Sequence, residues 1–474
     1  MLTPKGYKVK KAGFADEESV RADLLVRPAS ASHHPPPPAF SVLKESVTSL
    51  YLPRCYATER LGPAAGVAFP SAVPAPRLQF AGTLRPVQQA AIDAYMREAL
   101  HGSGAGTIVI GCGGGKTCSA LAVMCRLGVK TLVVVHKLFL ATQWTERISQ
   151  FVPGARVGVM KGDKYVHEDC DIVVASLQTM ISRKHPLAGF GLTVYDECHH
   201  MAAKVFVTSL MYETTRYVLG LTATPERKDG LGRVFLWFLG SVVYRPPAGG
   251  GRRTDVRVQF ARLPQRCRER CDFSGRPDTV AMVTDLVNCA ERTRDVAALC
   301  ATVLRDPSRC VLVLSERRKH LEDLHAELAA AHGGEMGYYV GGMKADARAA
   351  VEARSRVILA SFSMAAEGMD IPRLNTLVLA SPKSDVVQSV GRIMRTEQGV
   401  GPVAPLIVDV VDPLFAGPAA KRRALYRKMG YALGLDADED GPASIAFSVR
   451  ALRLSQPEAV TGPATPAGGP GAAG

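Results

Sequence analysis

Ten short runs made almost wholly of Val, Ile and Leu, arranged in two blocks, constrain this chain more than any other feature. Residues 107–110, 131–135, 172–175, 192–195 and 217–221 form the first block. Residues 311–315, 338–340, 357–360, 376–380 and 406–410 form the second. Stretches of helical periodicity separate the runs. A strand that is apolar on both faces has to be covered on both, as helices cover a parallel sheet. The expected fold class is therefore α/β, with two tandem lobes of parallel sheet flanked by helices.

Two runs end in residues that do chemistry. The run at 107–110 leads into Gly111-Cys112-Gly113-Gly114-Gly115-Lys116-Thr117. A glycine-rich turn lets backbone N–H groups and a helix N-terminus wrap phosphates, which a turn bearing Cβ atoms would obstruct. Lys116 would reach the β- and γ-phosphates, and the Thr117 hydroxyl would ligate Mg²⁺. Gly113 and Gly115 are candidates for the cradle. Downstream in the same block, the run at 192–195 ends in Asp196-Glu197-Cys198-His199. Asp196 would hold the same Mg²⁺, and Glu197 would orient and deprotonate the attacking water. The pattern implies hydrolysis of ATP or a close relative.

Composition narrows the surroundings. At 474 residues the chain has room for two or three domains, and its 47% hydrophobic share suffices for buried cores. No apolar run reaches the length that spans a bilayer, so no membrane partner is expected. The polar N-terminus lacks a secretory signal core, and the 11 cysteines are scattered singly, as in a reduced intracellular protein. Cys267 and Cys271 form the nearest pair, and no second pair or nearby histidine completes a zinc site. A net charge of +14 favours a polyanionic partner, nucleic acid first.

Breaks in composition suggest boundaries. The expected plan is an N-terminal accessory region at 1–78, a first, ATP-binding lobe at 79–245 and a linker at 246–254. A second lobe follows at 255–435, then a low-complexity, disordered tail at 436–474. Lys421-Arg422-Arg423 fits either a basic helix or a nuclear signal.

Further motifs gather at strand ends. Gln88 stands upstream of the glycine-rich turn, and its amide, which both donates and accepts, would read an adenine edge. His136 and Lys137 follow one strand, and Gln178 and Thr179 another. Amides and hydroxyls there would grip phosphates. Thr222 and Thr224, past the strand that follows Asp196, would link hydrolysis to motion. In the second block, Glu367-Gly368-Met369-Asp370 precedes Gln388-Ser389-Val390-Gly391-Arg392-Ile393-Met394-Arg395. On a helix Arg392 and Arg395 would share a face and would neutralise charge developing on a γ-phosphate.

These motifs, in this order, resemble the superfamily 2 helicases, over roughly residues 80–430. Val133-Val134-Val135-His136 through Gln143-Trp144 is similar to the XPB-type branch, as are the runs at 219–230 and 363–370. Gly6-Tyr7-Lys8-Val9-Lys10-Lys11 and Tyr51-Leu52-Pro53-Arg54-Cys55-Tyr56 resemble N-terminal stretches of versions encoded by large DNA viruses. The resemblance implies two RecA-like lobes, ATP and Mg²⁺ as cofactors, and nucleotide contacts from Gly368, Asp370, Gln388, Arg392 and Arg395. It also implies DNA as partner, single- or double-stranded, 3′ to 5′ movement, and work beside transcription, repair or recombination machinery. Two departures stand out: Ile110 occupies the place of the first P-loop glycine, and Cys198 replaces the commoner alanine or serine. No nuclease signature accompanies the motifs.

Two other readings remain open. An RNA helicase would carry the same nucleotide motifs, although Gln388 stands where DEAD-box enzymes have His-Arg, and Thr222-Ala223-Thr224 where they have Ser-Ala-Thr. A non-unwinding, ATP-driven remodelling subunit of a transcription complex would also share them.

Overall fold

A computed structural model of the chain describes residues 1–28, 38–111, 113–137, 139–161, 164–165, 169–182, 189–199, 207, 210, 215–225, 231–247, 256–332, 335–369, 371–394 and 403–434. These divide into two compact units near residue 252. Most of the expected linker and all but the first positions of the expected tail lie outside the described residues.

The first unit opens with a small antiparallel sheet. Its strands run in the spatial order Leu2–Thr3, Gly6–Lys10, Ser49–Leu52 and Lys44–Glu45. Period-2 alternation turns Leu2, Tyr7, Leu50 and Leu52 to a buried face and leaves Lys8 on the other. The helix Arg54–Leu61 then packs against the helix Gly232–Leu239 of the large sheet's layer. Arg54 is buried and donates to the carbonyl oxygens of Thr215, at 2.8 Å, and Arg216, at 2.9 Å. The N-terminal segment thus shares one hydrophobic core with the large sheet rather than forming a core of its own.

The large sheet of this unit has eight strands. In space they run Lys164–Tyr165, Val157–Lys161, Ile172–Ser176, Thr131–Val135, Leu192–Tyr195, Tyr217–Thr222, Ala105–Val109 and Val242–Tyr244. All neighbours are parallel except the edge strand Lys164–Tyr165.

The second unit holds seven parallel strands: Met336–Tyr339, Val357–Ser361, Val311–Ser315, Thr376–Leu379, Leu406–Val411, Arg257–Arg262 and Ala432–Leu433. Lettered a to g along the chain, the parallel strands of both units lie in the same order, c-d-b-e-f-a-g. Each unit is therefore a copy of one α/β plan, as expected of tandem RecA-like lobes.

Each sheet has seven parallel strands where the apolar runs mark five. The strands without such a run, Val157–Lys161, Val242–Tyr244, Arg257–Arg262 and Ala432–Leu433, lie at or next to sheet edges. There one face meets solvent, and polar residues such as Arg257 and Arg262 break the apolar pattern.

Candidate nucleotide site and its family

In open parallel sheets, ligands bind outside the carboxyl ends of the strands. The P-loop follows the strand Ala105–Val109 and opens the helix Lys116–Leu127. Gly113 and Gly115 take φ of +74° and +87°, left-handed values that suit glycine. Gly114 is needed for a different reason. A Cβ there would lie 2.2 Å from Cγ2 of Ile110, so the bulk of Ile110 is accommodated by a missing side chain one turn of the loop later.

Gln88 closes over the loop. Its amide nitrogen donates to the Gly115 carbonyl at 3.3 Å, and its amide oxygen accepts from the Arg85 N–H at 2.8 Å. One N–H and one lone pair of the amide stay available for a base edge. Arg85 adds a bond to the Gly113 carbonyl at 3.3 Å.

The acidic strand end meets the loop directly. The Lys116 ammonium donates to Oε1 of Glu197 at 2.5 Å. Glu197 has φ of +47°, the one left-handed non-glycine among the described residues. Strain of this kind is sustained where a site needs a particular side-chain aim. Asp196 is buried, and both of its oxygens are held: Oδ1 accepts from the Glu197 N–H at 3.0 Å, and Oδ2 from the indole Nε1–H of Trp144 at 2.9 Å. Burial first, and the Glu197 charge second, push the Asp196 carboxyl above the usual carboxylate range, against the pull of Lys116 and of the Trp144 N–H.

His199 connects this strand end to its neighbour. Its Nδ1 lies 2.9 Å from the Thr222 hydroxyl and 3.5 Å from Oε2 of Glu197. The Thr224 N–H donates to the same hydroxyl, and the Thr222 carbonyl accepts from the N–H of Ile110 at 3.1 Å. P-loop, acidic strand end and Thr222 thus form one connected set. Cys198 is fully buried, and a Cβ on Gly220 would sit 3.2 Å from its sulfur, so the cysteine fits because the next strand offers a glycine.

The remaining candidates of the first unit separate by exposure. Lys137 and Gln178 are exposed, and Gln178 donates to the His136 carbonyl at 3.3 Å. His136 is buried. Thr179 is buried too, with its hydroxyl 2.9 Å from that of Ser176, where the pair caps a short helix.

In the second unit, Gln388 lies half-buried in the helix Val387–Val390, and a 3₁₀ turn, Gly391–Ile393, follows. The α-helix expected to carry both arginines on one face therefore stops before Arg392. The Arg392 Nε donates to the carbonyl of Ala365 at 2.6 Å, which ties it to the helix Phe362–Gly368 that ends in Gly368. Arg395 and Asp370 lie outside the described residues.

Sequence reasoning passed over Arg85, Trp144 and His199 as site residues. The signal for Trp144 lay in its position within an amphipathic helix, since a buried indole N–H requires an acceptor. Among the described residues no group of three or more His, Cys, Asp or Glu is placed to hold a metal alone, and no helix is long and apolar enough to cross a membrane.

Comparison with known proteins agrees with this geometry. Residues 81–227 match the family model of the type III restriction enzyme res subunit, and residues 294–397 that of the helicase conserved C-terminal domain. Over 449 residues the chain is 30% identical to L396 of Acanthamoeba polyphaga mimivirus, which carries the name of an ATP-dependent RNA helicase; the match covers 91% of this chain and 85% of the relative. It is 33% identical over 180 residues to the DNA 3′-5′ translocase XPB2 of Sulfurisphaera tokodaii, covering 36% and 38% of the two chains. Among solved structures, an HsdR fragment of a type I restriction enzyme from Vibrio vulnificus matches with a TM-score of 0.56 at 20% identity, covering 76% and 69%. Yeast Dbp5 bound to RNA and ADP BeF3 matches at 0.54 and 14%, covering 78% and 92%.

Two tandem RecA-like units with a P-loop joined to an acidic strand end define an ATP-hydrolysing helicase fold. The chain belongs to the superfamily 2 helicases, is related within them to the XPB type, and has helicases of large DNA viruses among its relatives.

Proposed function

We propose that the chain is a DNA-stimulated ATPase that moves 3′ to 5′ along DNA, in transcription, repair or recombination. The observation that carries the reading is the 2.5 Å contact of Lys116 with Glu197, made by a loop and a strand end already bonded through Thr222. Lys116 would exchange this carboxylate for nucleotide phosphates, which frees Glu197 to accept a proton from water. The donor set suits Mg²⁺, a hard ion that takes one or two carboxylates and hydroxyl oxygens. Thr117 and Asp196 would hold it, and it would neutralise phosphate charge. Gln88 would add contact with the base, and Gly368, Asp370, Gln388, Arg392 and Arg395 would serve the nucleotide from the second unit. Lys137 and Gln178, exposed past their strands, are the first choice for phosphate contacts with nucleic acid, ahead of the buried His136 and Thr179. Thr222 and Thr224 would pass the state of the nucleotide to that surface.

DNA is favoured by the likeness to an XPB translocase and by Gln388 in place of His-Arg. The name of the mimivirus relative supports a second reading, RNA. ATPase rates with single-stranded DNA, duplex DNA and RNA decide between them, and displacement of strands with 3′ or 5′ tails gives direction. Stimulation by RNA alone, or displacement only from 5′ tails, overturns the first reading.

A further inference from the structure

The N-terminal sheet carries a second feature that the nucleotide chemistry leaves unused. Register places Lys8, Tyr51 and Lys44 side by side on three adjacent strands, since Tyr51 pairs with Lys8 on one side and with Lys44 on the other. Residues directly opposite on neighbouring antiparallel strands point to the same face. That face is opposite the one that buries Tyr7, Leu50 and Leu52. Lys5, from the turn between the first two strands, sets its ammonium over the Tyr51 ring, 5.6 Å from the centroid. Thr3, Lys5, Lys44, Tyr51 and Arg54 border one crevice. Glu45 is the sole carboxylate in the four strands, and it is engaged by Lys11 at 2.8 Å and Arg21 at 2.7 Å. Burial first, and the charge of Lys5 second, hold the Lys44 ammonium below the usual lysine range, so these cations are crowded together.

An aromatic ring flanked on both sides by ammonium groups matches one repeat of a single nucleic-acid strand. A base has a π-face, and a phosphate precedes and follows its sugar. Duplex DNA keeps its bases stacked inside and would offer the ring nothing. Lys5 over the ring is no obstacle, because an exposed cation–π contact is worth only about 0.5–1 kcal/mol and the lysine can swing to a phosphate. We propose that the Lys5, Lys8, Lys44 and Tyr51 face binds a single-stranded nucleic acid, with one base on Tyr51 and the flanking phosphates on the lysines. This rests on the reading of the chain as a nucleic-acid-driven ATPase and adds a site remote in sequence from its motor motifs.

The test uses the full-length protein and fluorescence anisotropy with labelled oligothymidylate, oligouridylate and a duplex, each over a range of salt. Lys5→Glu, Lys8→Glu and Lys44→Glu combined should weaken single-strand binding at least about tenfold. The same variant should flatten the log–log salt slope by about 2, at about 0.7 per lost phosphate contact. Lys421→Glu, Arg427→Glu and Lys428→Glu combined, an equal charge change on the helix Ala416–Lys428, should cost far less. Tyr51→Leu should weaken binding about tenfold with an unchanged salt slope, on the scale of one lost stack. An oligonucleotide bearing 5-iodouracil should photocrosslink to Tyr51 in the unmodified protein, which needs no variant to fold. The DNA and RNA arms show which strand the face prefers. Equal losses from the two triple variants, a loss confined to duplex, or crosslinks that avoid the sheet overturn the proposal. If the unmodified protein binds no nucleic acid, both readings fall together; if it binds and the sheet variants bind as well, this one alone falls.

Discussion

Glu197 and Trp144 act on the same few ångströms in different ways. Glu197 holds a left-handed backbone and contacts Lys116, so its carboxylate is positioned before any substrate arrives. Glu197→Gln should keep nucleotide affinity, because Lys116, Thr117 and Asp196 remain, while hydrolysis falls at least about 100-fold, the scale of a lost general base. Near-normal turnover would remove Glu197 from the mechanism. Trp144 touches no substrate; it fixes one oxygen of Asp196. Partners of metal-binding carboxylates typically contribute about 10- to 100-fold to metal affinity. Trp144→Phe should therefore raise the Mg²⁺ concentration needed for half-maximal binding of a fluorescent ADP about tenfold, with binding in EDTA unchanged. The chain has two tryptophans, so with Trp237→Phe the emission of Trp144 becomes a direct report. It should shift with Mg²⁺ and nucleotide together and stay still with nucleotide in EDTA. An unchanged Mg²⁺ requirement would leave the indole a packing residue.

At the scale of elements, the P-loop shows a size exchange between strand end and turn. Ile110 is buried where the common pattern has glycine, and Gly114 is bare where a Cβ would strike it. The φ of Gly114 is not left-handed, so alanine meets a steric objection and no torsional one. Gly114→Ala is expected to lower ADP affinity at least about tenfold, because the loop must move off its phosphate-wrapping shape. Ile110→Ala added to it should restore most of that affinity. Failure of the second change to help, with both proteins folded, would mean that the contact is not the cause. The N-terminal helix Arg54–Leu61 shows the same dependence on a neighbour. Its Arg54 guanidinium satisfies the backbone carbonyls of Thr215 and Arg216, far along the chain, and Tyr56 meets Trp237 edge-on at 5.5 Å.

For the whole molecule, that shared core makes the segment 1–78 part of the first unit's stability. A chain starting at Gln79 would expose the surface around Phe235 and Leu239 that the N-terminal helix now covers, and large exposed apolar patches drive association. Size-exclusion chromatography should show it aggregated; a monomeric, fully active truncation would contradict the shared core. The opposite fragment, ending near Pro246, keeps Lys116, Thr117, Asp196 and Glu197 but lacks Gln388, Arg392 and Arg395. Arginine groups of this type contribute about 10³ or more to hydrolysis in related enzymes, so its nucleic-acid-stimulated ATPase should be nearly absent. Full activity in that fragment would end the two-unit mechanism.

The sequence by itself was enough for the α/β class, the two lobes, the P-loop and the acidic strand end. Each of these is local: a buried strand needs an unbroken apolar run, and a phosphate turn needs glycines beside Lys-Thr, whatever the rest of the chain does. What only the tertiary structure decided involves partners far apart in sequence. That Trp144 serves Asp196 and His199 serves Thr222 depends on which strands are neighbours. That Thr179 turns inward to Ser176 while Gln178 stays exposed depends on how one short helix packs. The edge strands escaped notice because solvent on one side removes the demand for apolar residues. The arginine segment departed from a single α-helix because its 3₁₀ turn follows the bond of Arg392 to Ala365, a contact between separate elements. Periodicity records what each residue is buried in, and hydrogen-bond geometry records what it is buried against; the second requires the fold.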